Sequence, residues 1–103
     1  MRYRQYEVVI VNLDPTIGSE IRKTRPCLVI SPNEMNYANL IVAPMTSTYK
    51  DYPTRVRLDN ESYIALDQIR TISVKRVVGK GKQRVGLKVI SEVKQILKEM
   101  LVD

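Results

Sequence analysis

Three short runs of apolar residues constrain this chain most strongly. They are YEVVIVNL at 6–13, RPCLVIS at 25–31 and LIVAPMTS at 40–47. Runs this short, rich in β-branched residues and separated by proline, glycine and polar residues, are typical of β-strands. The first run is apolar on both faces, which predicts a strand that has neighbours on both sides. The first half of the chain is therefore expected to form a sheet.

The second half of the chain adds strands and a terminal helix. Basic and apolar residues alternate at 54–59, which predicts one more strand, and the segment YIALDQIRTI at 63–72 predicts another that ends near Ser73. Ser73 is also suited to cap a short helix that follows it. Ser91 is a candidate cap for a helix over 91–101, where apolar residues recur at helical spacing.

The length of 103 residues fits a single domain covering 1–103. Strands that dominate the chain, followed by one helix, predict a mainly β, barrel-like sheet with a C-terminal α-helix.

The composition excludes several classes of chemistry. The chain has no histidine, and therefore no Ser-His-Asp triad and no histidine-ligated metal. Its one cysteine, Cys27, can form no intrachain disulfide and, inside an apolar run, is expected to be a packing residue. No apolar run approaches the roughly 18 residues of a membrane span. The N-terminus lacks a signal-peptide core. We expect a cytoplasmic protein that uses no metal or other cofactor.

The charge favours a polyanionic partner. The formal net charge is +6 and the isoelectric point is about 9.6, which suits nucleic acid or an acidic protein segment. No acidic residue occurs from Ile69 to Ser91. Such a run is by default a solvated basic face, but its glycines favour contact with backbone phosphates. The basic residues of this run are Arg70, Lys75, Arg76, Lys80, Lys82, Arg84 and Lys88.

Arg25 and Thr46 are the strongest candidates for chemistry. If the second and third strands pair antiparallel with Ile30 opposite Ile41, Arg25 falls opposite Thr46 at one rim of the sheet. A proline in each strand cannot donate to a ladder, so the backbone should open there towards solvent or a ligand. A guanidinium matches phosphate geometry, and a hydroxyl can bind a phosphate oxygen or a ribose 2′-hydroxyl. The alternative is that Arg25 pairs with a carboxylate such as Glu20 and Thr46 only ends a strand.

Two tyrosines follow Thr46 in the chain. Tyr49 and Tyr52 lie in the loop 48–53 and are placed to stack on unpaired bases. The alternative is that they are ordinary surface tyrosines.

The segments VNLDPTIGSEIRKTRPCLVIS, LIVAPMTS and YIALDQIRTI resemble the MazF/PemK family of toxin endoribonucleases, in order and over nearly the whole chain. The resemblance implies an SH3-like barrel of the PemK/CcdB type that works as a homodimer. It implies metal-independent cleavage of single-stranded RNA to a 2′,3′-cyclic phosphate and a 5′-hydroxyl. It also implies a cognate antitoxin whose disordered, acidic tail covers the site.

The resemblance also implies site residues. The catalytic positions of the family fall on Arg25, Thr46 and Asp67, and Asp67 is a candidate base if burial raises its pKa. The alternative is that Asp67 holds the sheet or an arginine in place. The residues expected to contact RNA are Gly18, Ser19, Glu20, Lys23, Ser47, Tyr49, Gln68, Arg70, Lys80 and Lys82.

The chain departs from the family pattern at three places. Ala65 stands where PemK-like members carry an arginine that is proposed as the acid, which puts an Arg–Asp acid–base scheme in doubt. Arg22 and Lys23 replace a usual pair of glycines, so the loop 14–24 should be less permissive but more basic. An Arg-Gly-Asp start to the first strand is usual, and here the chain has Arg4, Gln5 and Tyr6 before Glu7.

Two other functions use the same features. A gyrase poison of the CcdB type shares the fold, but those toxins end in Trp-Gly-Ile, and this chain has no tryptophan and ends in Leu-Val-Asp. A non-catalytic RNA-binding barrel would bind RNA and leave it intact.

Overall fold

A computed structural model describes residues 3–18, 20–58 and 62–102. Within these residues the chain forms seven strands and one α-helix, with three single-turn 3₁₀ helices at Asn33–Met35, Leu66–Gln68 and Val74–Arg76. The elements are β1 (Val8–Asn12), β2 (Thr24–Val29), β3 (Asn39–Thr46), β4 (Arg55–Arg57), β5 (Tyr63–Ala65), β6 (Arg70–Ser73), β7 (Val77–Lys80) and α1 (Leu87–Leu101).

The strands form one antiparallel sheet in the order β4-β5-β3-β2-β1-β7, and β6 also pairs with β3. The predicted mainly β fold with a C-terminal helix is therefore confirmed. The first strand has a neighbour on each side, as its apolar faces predict. Within the described residues the sheet does not close, and β4 and β7 are its two ends.

The predicted register between β2 and β3 is confirmed. The backbone N–H of Ile30 donates to the carbonyl of Ile41 at 2.9 Å. In the same register, Cys27 lies opposite Pro44 and Val29 lies opposite Val42.

The two strands separate where their prolines lie. Pro44 is the last residue of β3 that pairs with β2, because a residue without an N–H cannot extend a ladder. Beyond this point Thr46 pairs with Tyr63 of β5, while Pro26 and Arg25 pair only with β1. The predicted opening of the sheet is confirmed. Arg25 and Thr46 are not, however, directly opposed residues of one ladder, because the strands diverge before reaching them.

Apolar side chains fill both faces of the central strands, since successive residues of a strand point to opposite faces. One face carries Val8, Leu28 and Ala43, and the helix covers it. The stripe that α1 presents to this face is Val89, Val93, Ile96 and Leu97. The other face carries Val9, Val11, Leu13, Cys27, Val29, Leu40, Val42 and Ile72.

Cys27 is fully buried on this second face, and burial raises the pKa of its thiol to about 12. The packing interpretation of this residue is confirmed.

The helix begins at Leu87, four residues before the predicted start. Gly86 is its N-cap, with extended backbone and no side-chain cap. Ser91 lies inside the helix. Because the acidic residue Glu92 follows it, the local sequence resembles the start of a helix. The apolar stripe extends a full turn further back, through Val89, and tertiary packing of that turn decides the boundary.

Two other predicted elements are shorter than expected. The predicted strand 63–72 is two strands, because the 3₁₀ turn Leu66–Gln68 interrupts it. The short helix after Ser73 is a 3₁₀ turn whose capping bond is confirmed, since the Ser73 hydroxyl accepts from the backbone N–H of Lys75 at 3.1 Å. The chain then continues as β7, a strand that was not predicted because glycines at 79 and 81 are unfavourable in a strand.

A buried polar cluster ties the N-terminal segment to the sheet. Asn36 is fully buried, and its amide donates to the carbonyls of Tyr3 at 3.0 Å and Ser31 at 3.1 Å. The hydroxyl of Ser31 donates to the Asn36 side-chain oxygen and accepts from the backbone N–H of Ile41. Each polar group of the cluster is thus satisfied, as burial requires.

Gly81 lies against the core side of β1. Its N–H donates to the carbonyl of Val8 at 2.9 Å. A Cβ at this position would lie 2.5 Å from Cγ1 of Val8, so only glycine fits without displacing its neighbour. Among the described residues, no helix is long and apolar enough to cross a membrane.

Candidate active site

A basic cleft occupies the opening between β2 and β3. Its volume is about 290 Å³. Arg25 and Thr46, the two residues singled out from the sequence, both line it. The other lining residues are Glu20, Ile21, Arg22, Lys23, Thr48, Lys50, Arg55 and Gln68. Five cations and one carboxylate thus surround this space, which suits an anionic ligand.

Thr46 is held with its hydroxyl directed by the backbone. The residue is 7% exposed, and its Oγ1 accepts from the N–H of Thr48 at 3.1 Å. This bond uses one lone pair of the oxygen and leaves its O–H able to donate to a ligand.

Arg25 is oriented by the loop that precedes it. Its Nε donates to the carbonyl of Arg22 at 3.1 Å, and among the described residues it makes no ion pair. The structure therefore does not support the alternative in which Arg25 forms an ion pair with Glu20. A carboxylate oxygen of Glu20 instead accepts from the backbone N–H of Ile17 at 2.6 Å. The guanidinium keeps four N–H groups for a ligand.

The loop 14–24 forms one wall of the cleft. The N–H of Ile21 donates to the side-chain oxygen of Gln68 at 2.7 Å, which fixes the loop to the 3₁₀ turn beneath it. Arg22 donates to the carbonyl of Gly18, a residue with φ of 63°. Lys23 adopts φ of 68°, a left-handed conformation that side chains other than glycine rarely take. Ser19, a predicted RNA-contacting residue, lies outside the described residues.

Arg55, which lines the cleft, forms a two-pronged ion pair with Asp67. Nε of Arg55 donates to Oδ1 of Asp67 at 2.8 Å, and Nη2 donates to Oδ2 at 3.1 Å. The Arg55 side chain is 4% exposed and that of Asp67 is 26% exposed. The hydroxyl of Thr54 donates to the same carboxylate at 3.2 Å. The guanidinium carbon of Arg55 lies 5.3 Å from the ring centre of Tyr52, which adds a cation–π contact.

This pairing decides the protonation of Asp67. Partial burial by itself raises the pKa of the carboxyl. The hydrogen bonds and charge of Arg55, with the bond from Thr54, outweigh it and lower the pKa below its ordinary value. The condition under which Asp67 was a candidate base, a pKa raised by burial, is therefore not met. The alternative, that Asp67 holds an arginine in place, describes its contacts.

The predicted contact residues divide among several surfaces. Glu20, Lys23 and Gln68 line the cleft with Arg25. Asp67 and Arg70 line an adjoining cleft of about 520 Å³, which shares Glu20, Ile21 and Gln68 with the first. Arg70 also donates to the carbonyl of Leu13 at 3.2 Å, so it anchors the start of the loop.

Lys80 and Lys82 lie elsewhere. They line a separate cleft of about 510 Å³ with Arg4 and Arg84, and it shares no lining residue with the first. The ammonium of Lys80 lies 3.5 Å from a carboxylate oxygen of Glu7. The structure thus does not bring these lysines to Arg25.

Ser47 and Tyr49 are exposed and line none of these clefts. The Tyr49 ring packs edge-on against Tyr63, with ring centres 5.6 Å apart. Its neighbours Thr48 and Lys50 line the cleft instead.

Sequence reasoning missed Arg55, Thr48, Lys50 and Arg22 as cleft residues. Arg55 had a usable signal. It begins an alternating strand, and a cation just after a proline-containing loop lies at a strand end, where sites form. In the parts of the chain that the structure describes, no group of three or more His, Cys, Asp or Glu residues could hold a metal ion.

Comparison with known proteins gives a consistent result. A family model described as a PemK-like, MazF-like toxin of type II toxin–antitoxin systems matches residues 4–101. Endoribonuclease PemK of Escherichia coli is 35% identical over 97 residues, covering 84% of this chain and 73% of PemK. A crystal structure of MazF from Deinococcus radiodurans is 25% identical with a TM-score of 0.83, covering 98% of this chain and 97% of that one. A crystal structure of MazE–MazF from the same organism is 26% identical with a TM-score of 0.78, covering 98% of this chain and 96% of that one.

Proposed function

Because this chain belongs to the family of PemK-like, MazF-like toxins of type II toxin–antitoxin systems, we propose that it is an endoribonuclease that cleaves single-stranded RNA. The observation that carries the proposal is the basic cleft, which gathers Arg25 and Thr46 at the point where the sheet opens. A cytoplasmic location fits an RNA substrate and a free thiol at Cys27.

The proposed reaction needs no external nucleophile. The ribose 2′-oxygen attacks the adjacent phosphorus, the O2′–P bond forms and the P–O5′ bond breaks. The 2′-hydroxyl loses its proton to a base and the departing 5′-oxygen gains one. The products are a 2′,3′-cyclic phosphate and a 5′-hydroxyl. Since the nucleophile belongs to the RNA itself, we expect cleavage to proceed without a metal ion.

Arg25 is proposed to stabilise the charge that develops on the phosphorane. A preorganised cation directed at the reacting phosphate interacts more strongly with that charge than with the ground-state diester. Arginine is a poor proton donor, since its pKa lies above about 12, so Arg25 acts by charge and hydrogen bonding. The O–H of Thr46 is proposed to orient the 2′-hydroxyl or the scissile phosphate. Asp67 takes part as an ionised carboxylate.

We propose two protein partners. A cognate antitoxin with an acidic, disordered segment would compete with RNA for the cations of the cleft, in agreement with the net charge of +6. A second copy of this chain would form a homodimer, which fits the exposure of large apolar side chains such as Leu87 and Val78. Light scattering that gives a monomer at micromolar concentration would remove the dimer from this proposal.

The test is cleavage of a long single-stranded RNA, with mapping of the new 5′-hydroxyl ends, in buffer with and without EDTA. Arg25→Ala should reduce the rate by about 10²–10³-fold, the effect of removing one donor to a transition state. Arg25→Lys should not restore it, because lysine keeps the charge but loses the fork. Thr46→Ala should also be strongly impaired, and the double variant should lose less than the product of the two losses.

Thermal stability measured on the same samples separates a catalytic role from a structural one. An Arg25→Ala protein that is folded and fully active removes this site. A wild-type protein that binds RNA and leaves it intact supports the non-catalytic RNA-binding function instead.

A further inference from the structure

We propose that Arg55 is a second catalytic arginine, which donates from Nη1 to a non-bridging oxygen of the scissile phosphate while Asp67 holds it in position. This inference rests on the proposed function. It follows from the contacts of Arg55, which lines the same cleft as Arg25 and Thr46.

Burial makes a purely surface role unsuitable for Arg55. Its side chain is 4% exposed, whereas exposed arginines keep their guanidinium in water. Taking a cation out of water costs free energy unless partners replace the lost hydration. Asp67 accepts two hydrogen bonds from Arg55, and the guanidinium lies over the ring of Tyr52. These contacts compensate for part of the lost hydration.

The ion pair leaves one edge of the guanidinium unused. Arginine has five N–H donors. Nε and one N–H of Nη2 bond to Asp67, and in the described part of the chain Nη1 has no hydrogen-bond partner. The carboxylate therefore fixes the plane of the guanidinium and leaves Nη1 preorganised for a ligand, as a residue that orients a catalytic group does.

The electrostatics of the cleft favour a transition state over a substrate. A phosphodiester carries one negative charge, and the pentavalent phosphorane carries more. Arg25 belongs to β2 and Arg55 to β4, and both line the cleft, so charge that develops on a phosphate bound there would be stabilised by two guanidinium groups. Interactions that strengthen only as charge develops raise kcat rather than lower KM. Arg55 moves no proton in this scheme, because the two arginines act as charged donors throughout.

The cross-strand register explains how the fold delivers this side chain. Arg55 lies opposite Ala65 in the β4–β5 ladder, two residues before Asp67. A small residue at 65 leaves room for the long side chain to cross towards the carboxylate. The pair thus joins two neighbouring segments of chain rather than two residues of one strand.

The experiment measures the rate of RNA cleavage in a single turnover, with the Arg55→Ala variant in saturating excess over the RNA. Arg57→Ala is the matched control. Arg57 belongs to the same strand, carries the same charge, is exposed, and lines none of the clefts. We expect Arg55→Ala to lower the cleavage rate by about 10²-fold or more, while Arg57→Ala stays within about threefold of wild type. RNA binding, measured with an RNA whose 2′-hydroxyl at the cleaved position is replaced by hydrogen, should weaken much less than the rate.

Chemical rescue distinguishes a catalytic from a structural loss. Millimolar methylguanidinium should restore part of the activity of Arg55→Ala, because the ion can occupy the space beside Asp67. It should not change Arg57→Ala or wild type. Asp67→Asn should lower kcat by about tenfold with little change in KM, since a positioning residue acts through Arg55.

The outcomes separate the two proposals. If wild type does not cleave RNA, the proposed function fails and this inference fails with it. If wild type cleaves, Arg25→Ala does not, and a folded Arg55→Ala matches Arg57→Ala, only the inference on Arg55 is overturned. If Arg55→Ala does not fold, Arg55→Lys replaces it, because lysine keeps the charge and the apolar stem. A loss of about tenfold or more in that variant supports the inference, and wild-type activity overturns it.

Discussion

The buried cluster around Asn36 allows a quantitative test of the fold. Asn36→Ala removes three hydrogen bonds, to the carbonyls of Tyr3 and Ser31 and to the hydroxyl of Ser31. Each is worth about 1 kcal/mol net, and the carbonyls that lose their donor stay largely out of water. We therefore expect the free energy of unfolding to fall by about 3 kcal/mol. For a domain near 100 residues this corresponds to a Tm lower by about 12–24 °C.

Asn36→Asp adds a pH dependence whose sign follows from the site. The substituted carboxyl faces two carbonyl oxygens with no cation among its described contacts, so its folded-state pKa should rise above the ordinary value of about 3.9. A raised folded pKa means that the protonated form stabilises the fold. That stability is present below about pH 4 and is lost as pH rises through the folded pKa. The variant should therefore be closer to wild type at pH 4 than at pH 7.5.

Urea unfolding at both pH values and one protein concentration measures this, with Asn36→Ala as the control that cannot titrate. The difference in unfolding free energy between the two variants should change with pH in the stated direction. The same difference at both pH values would refute the reasoning. A loss below about 1 kcal/mol for the alanine variant would show that these bonds are not as well formed as their geometry indicates.

Three further predictions concern the loop, the ion pair and the RNA track. Lys23→Gly should be more stable than Lys23→Ala by about 1 kcal/mol in urea unfolding, the reverse of the usual order, because φ of 68° strains any residue with a Cβ. Asp67 has a lowered pKa, so its pairing with Arg55 stabilises the fold above about pH 4 and is lost as pH falls further. Acid unfolding should therefore show the stability deficit of Asp67→Asn shrinking below pH 4. Replacing Lys80 and Lys82 by Gln should make the salt dependence of RNA affinity shallower by about 0.7 per lost phosphate contact. An unchanged slope would show that RNA does not contact the cleft lined by Lys80 and Lys82.

The opening of the sheet was predictable because it depends on local chemistry. Two prolines in neighbouring strands lack the N–H that a ladder requires, and a register anchored by Ile30 and Ile41 places those prolines close together. The same register predicts that Arg25 and Thr46 converge at one rim of the sheet, and both line one cleft there. The ladder itself ends at Pro44, so the two residues meet across a cleft and not as a strand pair.

Arg55 could not be found in the same way, because its role depends on a partner in another strand. By sequence alone, the chain carries Ala65 where PemK-like members carry an arginine, so that guanidinium is expected to be missing. The structure places Arg55 opposite that position in the β4–β5 ladder, with its guanidinium bonded to Asp67. The helix start was missed for a related reason. Ser91 has the local chemistry of a cap, and only packing of Val89 against the sheet shows that the helix has already begun.

The close approach of Gly81 to Val8 bears on how inactive variants of this protein should be interpreted. A genetic search for chains that have lost activity would return substitutions at position 81 alongside those at position 25. Of the two residues, only Arg25 lines the cleft that contains Thr46. We expect the two kinds of loss to differ in the cell, because a chain that cannot pack β7 against β1 should be removed by proteases, whereas under the proposed function a chain without Arg25 should accumulate at normal levels. Protein abundance, scored together with growth, should therefore separate residues that build the scaffold from residues proposed to act on RNA.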